Sequence, residues 1–347
     1  MFIDLARAGA LAFAATVLAG PVHAQAPDPA AYYKTHTVRF ISGGGPGGGY
    51  DNYARMLAPH LATELGTNVV VENQPAAGGL VGLNRIYANE PDGLQFIIMN
   101  GGGAVMSQLF DLQTVQYDLA KTNFLATVSS SPWVVLVNTK SPYKSMADLV
   151  KAGTMIRWPA TGPIDGLSDG ASMLCAAYQM QCRVVLGYKS SSEGALAVER
   201  GEMDALYVSD TSANNYIKNG EARPIAVVSR ERSRFLPDMP TIFEQGGLTE
   251  SQRWWLEARA DVDALGRIII AGPNVQADRM AYLQAAVKKI TTDPAIRAEG
   301  DKLERYLDYQ SPEATRNRAL GLINGVTGER KATLKDVVMR KYLPGAN

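Results

Sequence analysis

Ser42 to Asp51 reads SGGGPGGGYD, a glycine run that follows a β-branched stretch and precedes a helical pattern. Glycines let backbone N–H groups approach a ligand without β-carbon clashes, and the following helix presents about half a positive charge at its first turn. That combination suits an anion, and a carboxylate meets it as well as a phosphate. A tight turn without a ligand is the alternative. The spacing Gly43-x-Gly45-x-x-Gly48, with Glu72 closing the next strand, also satisfies a dinucleotide-binding pattern. Pro46 interrupts that pattern, and a run this rich in glycine fits many such registers by chance. Asp51 falls in the first helical turn, where a carboxylate caps free N–H groups.

Residues for catalysis are scarce. Of the three histidines, His23 sits in an N-terminal apolar stretch, while His36 and His60 stand alone before a strand and within a helix. No metalloprotease, serine-elbow or Ser-x-x-Lys constellation occurs in a supporting context. Asp261 and Asp263, like the charged run Arg230 to Arg234, read as solvated surface. Lys189 follows a strand on the expected ligand side and is a candidate cation, with a surface lysine as the alternative. Cys175 and Cys182 flank a predicted helix end, where they form either a structural disulfide or two buried thiols.

These residues need a scaffold. Strands are predicted at Thr37–Ile41, Asn68–Glu72, Leu94–Met99, Trp133–Asn138, Met155–Trp158, Arg183–Leu186, Asp204–Val208, Pro224–Val228 and Ile268–Ile270. Helices are expected near 51–65, 145–152, 168–178, 192–200, 277–292, 294–303 and 312–335, and Ala26–Ala31 reads as an extended linker. Alternation of strands and helices predicts an α/β fold of two lobes, each a mostly parallel sheet flanked by helices, with a double crossover. Ligands of such open sheets bind beyond the carboxyl ends of the strands, here in a cleft between lobes.

The chain has 347 residues, with 34 basic and 34 acidic side chains. Zero net charge removes the electrostatic footprint of a nucleic-acid binder. Residues 1–24 have the layout of a secretory signal peptide, ending in Val22-His23-Ala24, so the expected destination is the periplasm. No cofactor is expected.

Further along, PGGGYD, Val69 to Gly79 (VVVENQPAAGG) and Asn89-Glu90-Pro91-Asp92-Gly93 occur in order, followed by Lys140 to Leu149, Gly187-Tyr188-Lys189-Ser190, Gly201-Glu202-Met203-Asp204 and Pro237 to Thr241. This ordered set resembles the tripartite tricarboxylate transporter substrate-binding proteins, the Bug-type receptors, over residues 34–345. The resemblance implies a type II periplasmic binding-protein fold with lobes at 32–128 plus 229–347 and at 129–228. It implies a monomeric receptor, not an enzyme, that closes on a small carboxylated solute and delivers it to membrane transporter subunits. Two opposing turns would hold the carboxylate through backbone N–H groups. Gly47, Gly48, Gly49, Tyr50 and Asp51 form the first, and Thr161, Gly162, Ser168 and Asp169 belong to the second, with Ser209 and Asp210 facing the same cleft. The alternatives are an exported enzyme or nucleotide-binding protein using the glycine loop, and a receptor for a sensor kinase.

Three departures leave the ligand open among aliphatic, aromatic and amino-bearing acids. Tyr50 replaces the usual Thr, and either stacks on an aromatic acid or packs. The second turn carries Asp165 and Asp169, which would repel citrate, pair with an amine or hydroxyl, or cap a helix. Trp254 and Trp255 lie in an insertion-like stretch, 250–266.

Overall fold

The computed structural model describes residues 28–345, so the signal peptide expected at 1–24 lies outside the described residues. The first half runs α1 (Pro29–Lys34), β1 (Val38–Ser42), α2 (Gly49–Leu65), β2 (Val69–Asn73), α3 (Leu80–Ala88), β3 (Gln95–Asn100), α4 (Gly101–Leu109) and β4 (Asn123–Ser129). There follow β5 (Trp133–Asn138), α5 (Met146–Lys151), β6 (Ile156–Ala160), α6 (Gly166–Ala177), β7 (Cys182–Leu186), α7 (Ser191–Glu199), β8 (Ala205–Ser209), α8 (Asp210–Lys218) and β9 (Ala222–Val228). The chain ends with α9 (Glu250–Asp263), β10 (Arg267–Ala271), α10 (Ala277–Thr292), α11 (Pro294–Lys302), α12 (Pro312–Gly325) and α13 (Gly328–Asp336).

Two corrections concern helix ends. The stretch expected as an extended linker begins a helix at Pro29, because Asp28 accepts from Ala30 N–H and proline suits the first helical position. The helix expected over 312–335 is two, divided where Val326 turns extended and Gly328 takes a positive φ of 56°.

The first sheet has the order β2-β1-β3-β10-β4. Strands β1, β2 and β3 pair in parallel, whereas β10 is antiparallel to both β3 and β4. The second unit joins β8-β5-β9, all antiparallel, to the parallel pair β6-β7. Asp204 N–H donates to Arg157 O at 3.0 Å and ties β6 to the start of β8. The sheets are thus mixed where parallel pairing was expected to dominate. In the first, β10 re-enters from the other lobe against the direction of its neighbours.

Both faces of the first sheet are covered, which explains the apolar runs of β3 and β10. Phe40, Phe96 and Ile269 pack with Leu57, Leu61 and Leu283 on one face. Ile41, Ile97, Ile268 and Ile270 pack with Leu83 and Val105 on the other. At roughly 1.5–3 kcal/mol per buried aliphatic or aromatic side chain, these layers hold the loops at the strand ends in place. The second core combines Val135, Trp158, Val184 and Tyr207 with Leu256 of α9 and with Leu334, Val337 and Val338 from the end of the chain. Tyr342 O accepts from Val184 N–H at 2.8 Å, so this last segment, placed with the first lobe from sequence, lies against the second. Cys175 and Cys182 form a disulfide between the end of α6 and the start of β7, with Cα atoms 6.2 Å apart.

The chain passes between the sheets at 129–133 and again along β9, α9 and β10. Both passes border a cavity.

Candidate functional site

That cavity, of about 860 Å³, lies between the two sheets. The first lobe contributes Gly43, Gly44, Gly45, Tyr50, Asn100 and Arg267, and the second Thr161, Gly162, Asp165, Lys189 and Ser209. Leu80, Leu112, Trp133, Ile164, Leu167 and Val262 supply apolar wall. Of the residues singled out from sequence, Tyr50, Thr161, Gly162, Asp169, Lys189 and Ser209 line this cleft. Gly47, Gly48, Gly49, Asp51, Ser168 and Asp210 do not line it, each for a local reason.

Asp51 is buried at 2% exposure and serves its own loop. Its carboxylate accepts from Gly47 N–H at 2.8 Å, Asn73 Nδ2 at 2.8 Å and Arg55 Nε at 3.0 Å. Burial pushes its pKa up, but the bonds from Arg55, Gly47 and Asn73 prevail and hold it below the ordinary carboxylate range. Gly47 is thereby tied down, and Gly48 N–H donates to Gly45 O at 3.0 Å. Gly48 is the N-cap of α2 and provides no side-chain cap.

Arg267, the first residue of β10, faces this uncapped end. Its Nη2 lies 3.5 Å from where a Cβ on Gly49 would stand. The guanidinium sits 4.6 Å from the Tyr53 ring centroid and 5.9 Å from that of Tyr50. Nη1 reaches Ser129 Oγ at 3.3 Å, and Nε is buried with no partner. Among the described residues no carboxylate forms an ion pair with it. A cation beside a positive helix end, with a buried donor unused, is an arrangement that an anion completes.

The opposite turn differs from expectation. Asp165 is the N-cap of α6, and its carboxylate accepts from Ser168 N–H at 2.7 Å, Thr161 N–H at 2.9 Å and Gly162 N–H at 3.0 Å, as well as from the Thr161 hydroxyl. The amides expected to grip a ligand are already taken by a carboxylate three or four residues away. Ser168, fully buried, turns its hydroxyl to Pro163 O at 3.3 Å. The two-turn amide grip therefore reduces to one open turn and one guanidinium.

Behind the wall, Arg259 of α9 is 2% exposed and bridges two acids. Nη1 donates to Asp169 at 2.7 Å and Nε to Asp263 at 2.9 Å, while Nη2 also meets Asp263 and Tyr207 Oη donates to Asp263 at 2.6 Å. Burial raises the Asp169 pKa to about 7; Arg259 opposes this, and Asp165 and Asp263 reinforce it. Burial likewise raises Asp263. Asp263, expected on solvated surface, is thus interior, because Arg259 lies one helical turn before it; Asp261 stays half-exposed and pairs with Arg230 at 2.7 Å and Arg318 at 3.1 Å. The insertion-like stretch forms helix α9, with Trp255 buried against Trp254.

Asp210 opens on a separate cavity of about 640 Å³ that shares Ser131 and Asp263 with the cleft, and Ser233 Oγ donates to it at 2.9 Å. His36 bonds Tyr32 O at 2.7 Å and His60 pairs with Glu299 at 3.0 Å, and neither lines the cleft. Sequence reading missed Arg259 and Arg267. The capping box Thr249–Gln252 is the signal that would have revealed α9. Arg267 carries no local signal beyond its place ahead of three isoleucines.

Two α/β lobes joined by crossing segments, with a solute-sized cleft between them, make up the type II periplasmic binding-protein fold. Residues 53–306 match the family model described as tripartite tricarboxylate transporter family receptor, and the chain belongs to that family. It is 25% identical over 225 residues to Protein BugT of Bordetella pertussis, covering 64% of this chain and 69% of that protein. In fold it is similar to a TctC solute binding protein from Polaromonas, with a TM-score of 0.66, 18% identity and coverage of 87% and 97% of the two chains. It is also similar to R. palustris Rpa4515, solved with adipate, with a TM-score of 0.68, 18% identity and coverage of 87% and 97%. Among the described residues no helix is long and apolar enough to cross a membrane.

Proposed function

We propose that this chain is a periplasmic receptor that captures a small carboxylate-bearing solute between its lobes and hands it, unaltered, to membrane transporter subunits. The solute's carboxylate sits between the Arg267 guanidinium and the uncapped amino end of α2. Lobe closure around it removes water, which strengthens charge-assisted N–H···O bonds. The observation that carries this reading is Arg267, a cation with an unpartnered buried Nε and, among the described residues, no carboxylate partner, placed against α2. Two structural neighbours solved with acids, Rpa4515 with adipate and MatC with malate, support a carboxylate as the ligand class. Export, removal of residues 1–24 and action as a monomer belong to the same proposal.

The test is calorimetry of the mature chain against a set of small organic acids, with each hit recovered and checked by NMR. Micromolar binding of an acid returned chemically unchanged is the expected result. Turnover of the acid, or retention of full affinity after Arg267→Gln, refutes the proposal. Mass spectrometry of the exported chain should give Gln25 as its first residue.

A further inference from the structure

The receptor reading leaves open how many carboxylates the cleft accepts. Resting on that reading, we infer that the ligand is a monocarboxylic acid with an apolar, ring-sized body. The cleft has two anion-binding turns, and the protein's own Asp165 occupies the second, taking the N–H groups of Thr161, Gly162 and Ser168. A second ligand carboxylate arriving there would find those three N–H groups taken and would face Asp165 and Asp169, both of which line the cleft. Arg259 cannot serve it, since its guanidinium is spent on Asp169 and Asp263. Lys189 remains, but it is exposed, and a pair formed at an exposed ammonium is weak and screened by salt. Like charges and an unpaired buried carboxylate both oppose a dicarboxylate.

The rest of the lining fits a body without charge. Leu80, Trp133, Ile164, Leu167 and Val262 form the wall, and Trp133 is held flat against Tyr207 with ring centroids 5.1 Å apart. Gly166 makes this stacking possible, because a Cβ there would stand 2.0 Å from the Trp133 ring. The carboxylates that would attract an ammonium are already engaged: Asp165 serves its own turn, and Asp169 and Asp263 pair with Arg259. An α-amino acid is therefore also disfavoured.

The probes are benzoate and 3-phenylpropanoate, set against adipate, citrate and phenylalanine, titrated calorimetrically into the mature chain. Binding of the two monoacids, with adipate, citrate and phenylalanine at least about tenfold weaker, is expected. Tighter binding of adipate, citrate or phenylalanine overturns the inference and leaves the receptor standing. Absence of binding by any acid overturns both. A second arm uses Asp165→Ser, which retains a capping hydroxyl and opens the turn; the adipate-to-3-phenylpropanoate affinity ratio should rise about tenfold. Asp165→Asn, nearly isosteric, removes the charge and should move the ratio in the same direction if the serine variant folds poorly. An unmoved ratio in a folded variant refutes the role given to Asp165.

Discussion

Replacing Arg267 by Gln separates a ligand anchor from a packing residue, because the two roles predict opposite changes in the empty protein. Half a unit charge at the end of α2 and a guanidinium about 4 Å away repel by about 2 kcal/mol at an effective dielectric of 20. The unpartnered Nε adds a further penalty of about 1 kcal/mol. Against these stands the cation–π contact with Tyr53, worth about 1–2 kcal/mol when partly desolvated. Arg267→Gln should therefore leave the unliganded protein as stable or slightly more so, a change of about +1 kcal/mol and a rise of a few degrees in melting temperature. Affinity should fall steeply. Losing charge-assisted bonds worth about 3 kcal/mol in total weakens 3-phenylpropanoate about 150-fold. Differential scanning calorimetry of the free protein and isothermal titration at fixed salt read the two quantities. A drop of several degrees in the free protein, with Kd unmoved, would refute the reasoning and make Arg267 a strut.

Three further outcomes are expected. With the Asp169 pKa raised to about 7 in the folded state, the stability linked to it is full below about pH 4 and is lost as pH rises through 7. The slope is up to about 1.4 kcal/mol per pH unit, and Asp169→Asn should flatten it in urea midpoints measured at pH 5 and pH 8. Gly170→Ala places a Cβ 2.1 Å from the Tyr207 ring and should destabilise by about 1–3 kcal/mol in the same assay, more than any exposed helical Gly→Ala change. Cys175→Ser with Cys182→Ser opens a short loop in the second lobe and should lower unfolding free energy by about 2–3 kcal/mol while acid binding persists.

Among the described residues nine of the ten strands were legible from sequence, because covered sheets demand apolar runs; Trp133–Asn138 matches its predicted bounds and the other eight fall within about two residues, whereas β4 (Asn123–Ser129) carried no prediction. Helix α4 was not legible, since it opens on three glycines that read as loop until Val262 and Leu265 are seen pressed against them. In α9, polar residues outnumber apolar ones, and its burial depends on Arg259 finding Asp169 ninety positions earlier, a pairing that no local pattern announces. For the site, Tyr50, Thr161, Gly162 and Asp169 of the two turns read from sequence line the cleft, but which amides stay free was not legible. Whether Asp165 caps its helix or faces a ligand depends on the loop's dihedral angles, and Arg267 meets the amino end of α2 only once β10 is inserted between β3 and β4.

That insertion also governs how the chain can be assembled. Strands β3 and β4 are neighbours in sequence yet flank β10 in space, so the first sheet keeps an unfilled slot until residues 267–271 have been made. A nascent or threaded chain ending earlier exposes two bare strand edges with nothing to zip them. The amino-terminal half thus cannot mature ahead of the rest, and fragments cut before Ala271 should aggregate instead of yielding a free-standing first lobe.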